Sequence, residues 1–212
     1  MTSLECMAAL INAVTYVTQN RIPGDIAECG VWRGGSMMVV ALTLLAHGDQ
    51  SRDLYLYDTF EGMSPPTDED KSLDGISAAI QLERNPRWCY ASFEDVRANV
   101  LSTGYPEKKI HLIKGKVEDT IPQSSPPSLS LLRLDTDWYE STKHELEFLF
   151  PRLHSRGVLM IDDYGHWLGA KKAVDEYFAQ HAGGVYLHRV DYTARILVRT
   201  GTGSEPLTPA AP

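Results

Sequence analysis

Cysteine is scarce in this 212-residue chain: Cys6, Cys29 and Cys89 make an odd count with no C-x-x-C spacing. That pattern argues against a disulfide framework and against a zinc site, so reduced, mostly buried thiols are expected. Long apolar runs are missing too. The longest near-apolar stretch, Met37 to Ala46, contains Thr43 and is far short of the ~20 residues that span a bilayer. No basic residue precedes Arg21, so the charged segment that opens an export signal is lacking; a cytoplasmic protein without membrane association is expected. Positive charge is in deficit, with 20 Lys and Arg against 28 Asp and Glu for a net charge of −8. No Lys/Arg cluster forms a phosphate-binding stripe, which makes nucleic acid a poor partner.

What remains is the composition of a globular chain, 43% hydrophobic and 23% charged, able to bury one core in a single domain over residues 1–200. Leu4, Met7, Ile11 and Val14 recur at helical spacing within residues 2–19, and Thr2 with Glu5 has the form of a capping box. Ile26–Cys29, Leu54–Tyr57, Ile110–Ile113, Leu129–Leu134 and Val158–Ile161 read as short apolar strands. Helix patterns alternate with them at Ser36–Ala46, Ser92–Leu101, Ser141–Phe150 and Ala170–Phe178. This alternation predicts an α/β fold, doubly wound and Rossmann-like, whose parallel sheet is covered on both faces and binds its ligand at the carboxyl ends of the strands. Val185–Val190 and Arg195–Val198 are separated by four residues. So short a link predicts a C-terminal antiparallel hairpin, hence a seven-stranded, mostly parallel sheet. Residues 61–91 carry Pro65-Pro66, Asp68-Glu69-Asp70 and Asn85-Pro86, too long a stretch for a βα connection of typically 2–6 residues. A lid or acceptor-binding insertion with one helix near Ile76–Leu82 is expected there. Gly201 to Pro212 is expected to be a disordered tail.

The first strand hands over to its helix through Glu28-Cys29-Gly30-Val31-Trp32-Arg33-Gly34-Gly35, the place where backbone approaches a nucleotide or amino-acid ligand. Trp32 stands where a dinucleotide fingerprint needs glycine, which disfavours pyrophosphate binding. Taken alone, the cluster also reads as a tight turn requiring positive φ. Asp58, closing the second strand, favours a nucleoside, because an acidic residue there accepts from ribose hydroxyls in folds of this wiring. Asp119, within Gly115-Lys116-Val117-Glu118-Asp119-Thr120, is placed either to receive an adenine amino group, with Val117 beside the ring, or to cap a loop. Asp135-Thr136-Asp137 and Asp162-Asp163 deliver four carboxylates to one rim. Their repulsion calls for a hard divalent cation such as Mg²⁺; the competing reading is an ion-pair cluster offset by Arg133 and Lys171-Lys172. His166 is a candidate second base or acceptor contact. Trp32, Trp138, Tyr139, Tyr164 and Trp167 are candidates either to wall an apolar pocket or to pack in the core.

These residues resemble the class I S-adenosylmethionine-dependent methyltransferases, and within them the macrocin O-methyltransferase family acting on sugars of macrolides and aminocoumarins. The resemblance runs from about Ile22 to Arg199. It is carried by the loop Glu28 to Gly35, Asp58-Thr59-Phe60-Glu61-Gly62-Met63, Val117 to Thr120, Arg133 to Asp137 and Ile161-Asp162-Asp163-Tyr164. It implies S-adenosylmethionine and Mg²⁺ as cofactors, with Asp135, Asp162 and Asp163 at metal-ligand positions and Asp137 at that of the general base. Gly30, Asp58 and Asp119 match contacts to the methionine, ribose and adenine parts of the cofactor, and Glu28, Gly34 and Ser36 complete that set. The implied enzyme is a homo-oligomer that methylates a sugar or related diol of a glycosylated natural product in antibiotic biosynthesis. Three rivals stay open: the same chemistry on a catechol, a nicotinamide oxidoreductase using the glycine turn, and a non-catalytic nucleoside- or metal-binding module.

Overall fold

The structure, a computed structural model, describes residues 2–181 and 185–201; the expected tail beyond residue 201 lies outside them. Along the chain run α1 (Leu4–Gln19), β1 (Asp25–Cys29), α2 (Gly35–Ala46), β2 (Leu54–Asp58), α3 (Ala78–Arg84), α4 (Phe93–Leu101) and β3 (Ile110–Lys114). There follow α5 (Val117–Thr120), β4 (Leu129–Leu134), α6 (Tyr139–Phe148), β5 (Leu153–Ile161), α7 (Leu168–His181), β6 (His188–Arg189) and β7 (Arg195–Val198).

The sheet has seven strands in the order β3-β2-β1-β4-β5-β7-β6. The first five are mutually parallel. β7 pairs antiparallel with β5, and β6 with β7, so the doubly wound fold with an antiparallel C-terminal pair holds as expected. Two-residue periodicity sends alternate side chains to opposite faces. Ile26, Leu131 and Met160 meet Leu10, Val14, Val40 and Leu44 of α1 and α2 on one face. Their neighbours Ala27, Leu132 and Leu159 meet Leu146 of α6 and Val174 and Phe178 of α7 on the other. Each large side chain so buried contributes about 1.5–3 kcal/mol, which is why the central strands read as unbroken apolar runs.

Several boundaries differ from the pattern reading, each for a local reason. The cap of α1 is Ser3, not Thr2: its hydroxyl accepts the Cys6 N–H at 3.0 Å. α3 begins two residues later than expected because residues 71–77 close a turn, with Lys71 bridged to Ser77. α6 starts early, at Tyr139, whose N–H is capped from a distance by Asp70. β5 begins at Leu153 rather than Val158, through the polar His154, Ser155 and Arg156. β6 shrinks to two exposed residues at the sheet's edge, where it pairs with β7 alone.

Candidate active site

β1 and β4 come so close at their carboxyl ends that side chains must be absent between them. Gly30, at φ +79°, would place a Cβ 2.0 Å from the Asp135 carbonyl oxygen, and the Asp135 N–H donates to the Cys29 carbonyl at 2.9 Å. The loop that follows includes a non-glycine residue, Trp32, at φ +45°. It is held by Asp58: Oδ2 accepts the N–H groups of Val31 and Trp32 at 2.8 and 3.0 Å, and Oδ1 accepts that of Phe60 at 2.7 Å. Burial raises the Asp58 carboxyl while those three donors pull it down. A carboxylate offers about four acceptor positions, so the loop itself takes most of what the sequence reading reserved for ribose.

A cavity of about 690 Å³ runs along this rim, within the range of small-molecule sites. It brings together Glu28, Gly30, Ser36 and Asp58 with Asp135, Asp137, Asp162 and Asp163. It does not bring in Asp119, which is exposed while Val117 and Glu118 line the wall. Nor does it include Gly34, which caps α2 at φ +79° and faces Val96 and Val100. Of the aromatic candidates, Trp32 and Trp167 line the cavity. Trp138 is buried, and Tyr139 and Tyr164 donate to Glu176 and Asp175, each at 2.7 Å. His166 lines the cavity, its ring 3.2 Å from the Tyr192 hydroxyl.

Arg133, 1% exposed, sits among the acids. Its Nη1 donates to Glu28 and, at 2.7 Å, to Asp135, and its Nη2 to Asp162 at 2.8 Å. Lys171 and Lys172 pair with Asp175 and Glu69 instead. The ion-pair reading therefore holds for one guanidinium and three carboxylates. Asp135, Asp137 and Asp163 nonetheless bring carboxylate oxygens within 4.8 Å of one another. Asp162 Oδ1 is buried with no hydrogen-bond partner. Burial pushes Glu28 up to about 7 against the pull of Arg133. It also pushes Asp137 to about 7, opposed by its bond to Asp163 and aided by the charges of Asp135 and Asp162. Asp135 and Asp163 are raised well above the usual carboxylate range, by burial first and neighbouring carboxylates next. A crowded set of hard oxygen donors, in which Glu28 Oε2 is orphaned along with Asp162 Oδ1, fits a divalent cation such as Mg²⁺.

Asp137 is held at φ +69°, a strain of order 1–3 kcal/mol for a non-glycine residue, typical of functional loops. Its N–H donates to Asp163 Oδ2 at 3.2 Å, and the preceding Thr136 hydroxyl donates to Glu145 at 2.9 Å. Glu145 is fully buried in α6. The insertion at 61–91 folds over the same rim. Its Asp70, with no exposed surface, accepts the N–H groups of Thr67 and Tyr139, each at 2.7 Å. The Trp138 indole N–H donates to the Ser64 carbonyl at 2.9 Å. Trp88, Trp138 and Trp167 pack with ring centroids 5.1–5.8 Å apart. Sequence reasoning passed over Asp70, Trp88 and Glu145; a lone tryptophan within a charged, proline-rich insertion was the one available signal.

No helix among the described residues is long and apolar enough to cross a membrane. The sequence model of a family described as macrocin-O-methyltransferase (TylF) matches residues 1–199. The chain is 33% identical over 210 residues to 8-demethyl-8-(2,3-dimethoxy-alpha-L-rhamnosyl)-tetracenomycin-C 4'-O-methyltransferase of Streptomyces olivaceus, covering 99% of this chain and 79% of the relative. It is 33% identical over 180 residues to demethyldecarbamoylnovobiocin O-methyltransferase of Streptomyces niveus, covering 85% and 68%. Among solved structures, the O-methyltransferase NovP superposes with a TM-score of 0.84 at 30% identity, over 94% of this chain and 81% of that one. These matches overturn the oxidoreductase and non-catalytic alternatives. The chain belongs to the TylF macrocin-O-methyltransferase family and is an S-adenosylmethionine-dependent O-methyltransferase.

Proposed function

We propose that this enzyme transfers the methyl group to a hydroxyl of a sugar carried by a natural product, with the help of Mg²⁺. The observation that carries this reading is the acidic cluster of Asp135, Asp137, Asp162 and Asp163 in the same cavity as the Gly30 loop. The names of the relatives support the acceptor class: one acts on a rhamnosyl tetracenomycin, another is a mycinamicin III 3''-O-methyltransferase.

In this reading Glu28, Gly30, Ser36 and Asp58 shape the cofactor's part of the cavity, with Gly34 setting the turn into α2 and Val117 and Glu118, in place of the outward-facing Asp119, on the adenine side. Asp135, Asp163 and the unpartnered oxygen of Asp162 would hold the cation. A bound divalent ion supplies positive charge that lowers the pKa of an otherwise weakly acidic hydroxyl. Asp137 would take the hydroxyl proton, S-adenosylmethionine supplying the methyl group and leaving as S-adenosylhomocysteine, and a group poised near neutrality suits that task. Arg133 keeps Glu28, Asp135 and Asp162 in place without itself reaching the acceptor. Alignment of the two reactants supplies up to roughly 7–11 kcal/mol. The insertion at 61–91 forms the acceptor side of a single catalytic domain. Homo-oligomeric assembly and a cytoplasmic location belong to the same reading, and light scattering and cell fractionation read them directly.

The test compares wild type with Asp137→Asn, using S-adenosylmethionine, Mg²⁺ and the rhamnosylated tetracenomycin as acceptor. Calorimetry with S-adenosylhomocysteine and with Mg²⁺ is expected to be unchanged while turnover falls roughly 10²–10⁴-fold. Near wild-type turnover would remove Asp137 as base, and loss of Mg²⁺ binding would make it a ligand. A catechol that outcompetes the sugar would overturn the acceptor class.

A further inference from the structure

Thr2, just before the N-cap of α1, and Leu4 and Met7 at the start of that helix contribute to the cavity lining, and the turn before β7 supplies Thr193. Leu4 is apolar yet 85% exposed, a side chain presented at the mouth rather than packed. Asp191 joins these two segments, and its carboxylate oxygens divide the work. Oδ1 accepts the N–H groups of Thr193 and Ala194, each at 2.8 Å, and so closes the β6–β7 turn. Oδ2 accepts the Ser3 hydroxyl at 2.6 Å and the Cys6 thiol at 3.1 Å, from the other end of the chain. Ser3 is also the N-cap of α1, so the carboxylate faces the positive end of the helix dipole. Burial works against its charge, but the donors from Ala194, Ser3, Cys6 and Thr193 outweigh it and hold the carboxyl far below the usual range.

The same turn grips the loop that follows β5. The Gly165 N–H donates to the Thr193 carbonyl at 2.8 Å, a Cβ on Gly165 would lie 2.0 Å from the Tyr192 carbonyl, and the Tyr192 hydroxyl meets His166 at 3.2 Å. Asp191 thus ties the start of α1 to the segment bearing Asp163 and His166. We propose that Asp191 is a positioning residue that fastens the first turn of α1, through Ser3 and Cys6, as a wall for the apolar aglycone of the acceptor. This rests on the acceptor class proposed above.

Asp191→Asn separates the two tasks, since its amide carbonyl still serves the turn while an NH₂ donor replaces the oxygen that received Ser3 and Cys6. The expected result is S-adenosylhomocysteine affinity within about twofold of wild type, kcat within about threefold, and the KM for the rhamnosylated tetracenomycin raised about tenfold. Amide exchange at Glu5, Cys6 and Met7 accelerates in parallel. A merely structural role would lower cofactor affinity and kcat together with acceptor affinity. An acceptor KM within about twofold of wild type overturns the proposal. Ser3→Gly repeats the test from the helix side, since glycine at an N-cap costs only a few tenths of a kcal/mol, and it too must raise KM without touching the turn. If wild type methylates no glycosylated acceptor, the functional reading falls; the fastening of α1 is then decided by amide exchange, and unchanged exchange in both variants ends it.

Discussion

Glu145 bears a carboxyl in the apolar layer beneath the Asp135–Asp137 loop, with the Thr136 hydroxyl as its one hydrogen-bond partner and its second oxygen buried without any. Burial, and after it the charges of Glu118 and Asp163, push its pKa well above the ordinary value in spite of the Thr136 bond. The folded state therefore keeps a proton that the unfolded chain, titrating near 4.3, gives up. Stability falls as pH rises above about 4.3 towards the folded value. Glu145→Gln, neutral at every pH, is expected to gain stability relative to wild type at pH 8 more than at pH 5, and urea unfolding at the two values checks it. Equal differences at both would show that the carboxyl titrates alike folded and unfolded. At this scale the sequence was legible where chemistry sits at strand ends: Gly30, Asp58, Asp135, Asp137, Asp162 and Asp163 all reach the cavity. Glu145 was invisible because a glutamate within a helix pattern reads as solvent-facing; only the tertiary packing of α6 against β4 and β5 puts it inside. Asp119 illustrates the converse, a residue of the right type in the right loop whose helical turn points it outward.

The insertion at 61–91 is anchored to α6 by Asp70, which binds both its own turn at Thr67 and the first N–H of the helix. Removing an acidic cap costs about 0.5–2 kcal/mol, and the stranded Thr67 N–H adds to that. Asp70→Ala is therefore expected to lower Tm by roughly 4–8 °C, at about 2–4 °C per kcal/mol for a chain of this size. The insertion also carries Met63, Gln81 and Trp88 into the cavity, so the variant should weaken acceptor binding more than S-adenosylhomocysteine binding. Steady-state KM beside calorimetric Kd decides this. The parallel strands were readable because burial on both faces removes the need for polar alternation, α2 because its apolar run stops near Gly48, and α4 because its Ser92 cap and apolar spacing agree. The start of α6 was not, since its cap arrives from a residue 69 positions earlier. Nor was the length of β6, where little side-chain burial backs the pairing.

The whole molecule places the Gly30 loop and the ends of β2 and β3 on one side, and the acidic residues of β4 and β5 on the other, of the point where strand order reverses, where open α/β sheets bind ligands. A ligand spanning that point stabilises the sheet by mass action, about 2.7 kcal/mol at a hundredfold excess over Kd. S-adenosylhomocysteine at that excess should raise Tm by roughly 5–11 °C. Mg²⁺ should add a second rise, absent in Asp162→Asn and reversed by a chelator; a chelator that removed the first rise as well would show the two sites to be one. Neither strand order nor this meeting of two halves is written in any local pattern. The division has an evolutionary consequence. A recombination joint in the segment 122–128 would keep α1, the Gly30 loop and the 61–91 insertion of one family member and take the acidic rim of β4 and β5 from another, so the glycine loop and the insertion would travel together. Among the contacts that cross the joint, Arg133 from the second part is buried against Glu28 from the first, and a chimera that lacks Arg133 leaves the buried Glu28 without its ion-pair partner. Viable hybrids must therefore come from parents that both carry this pair, a constraint a shuffled library of relatives would display.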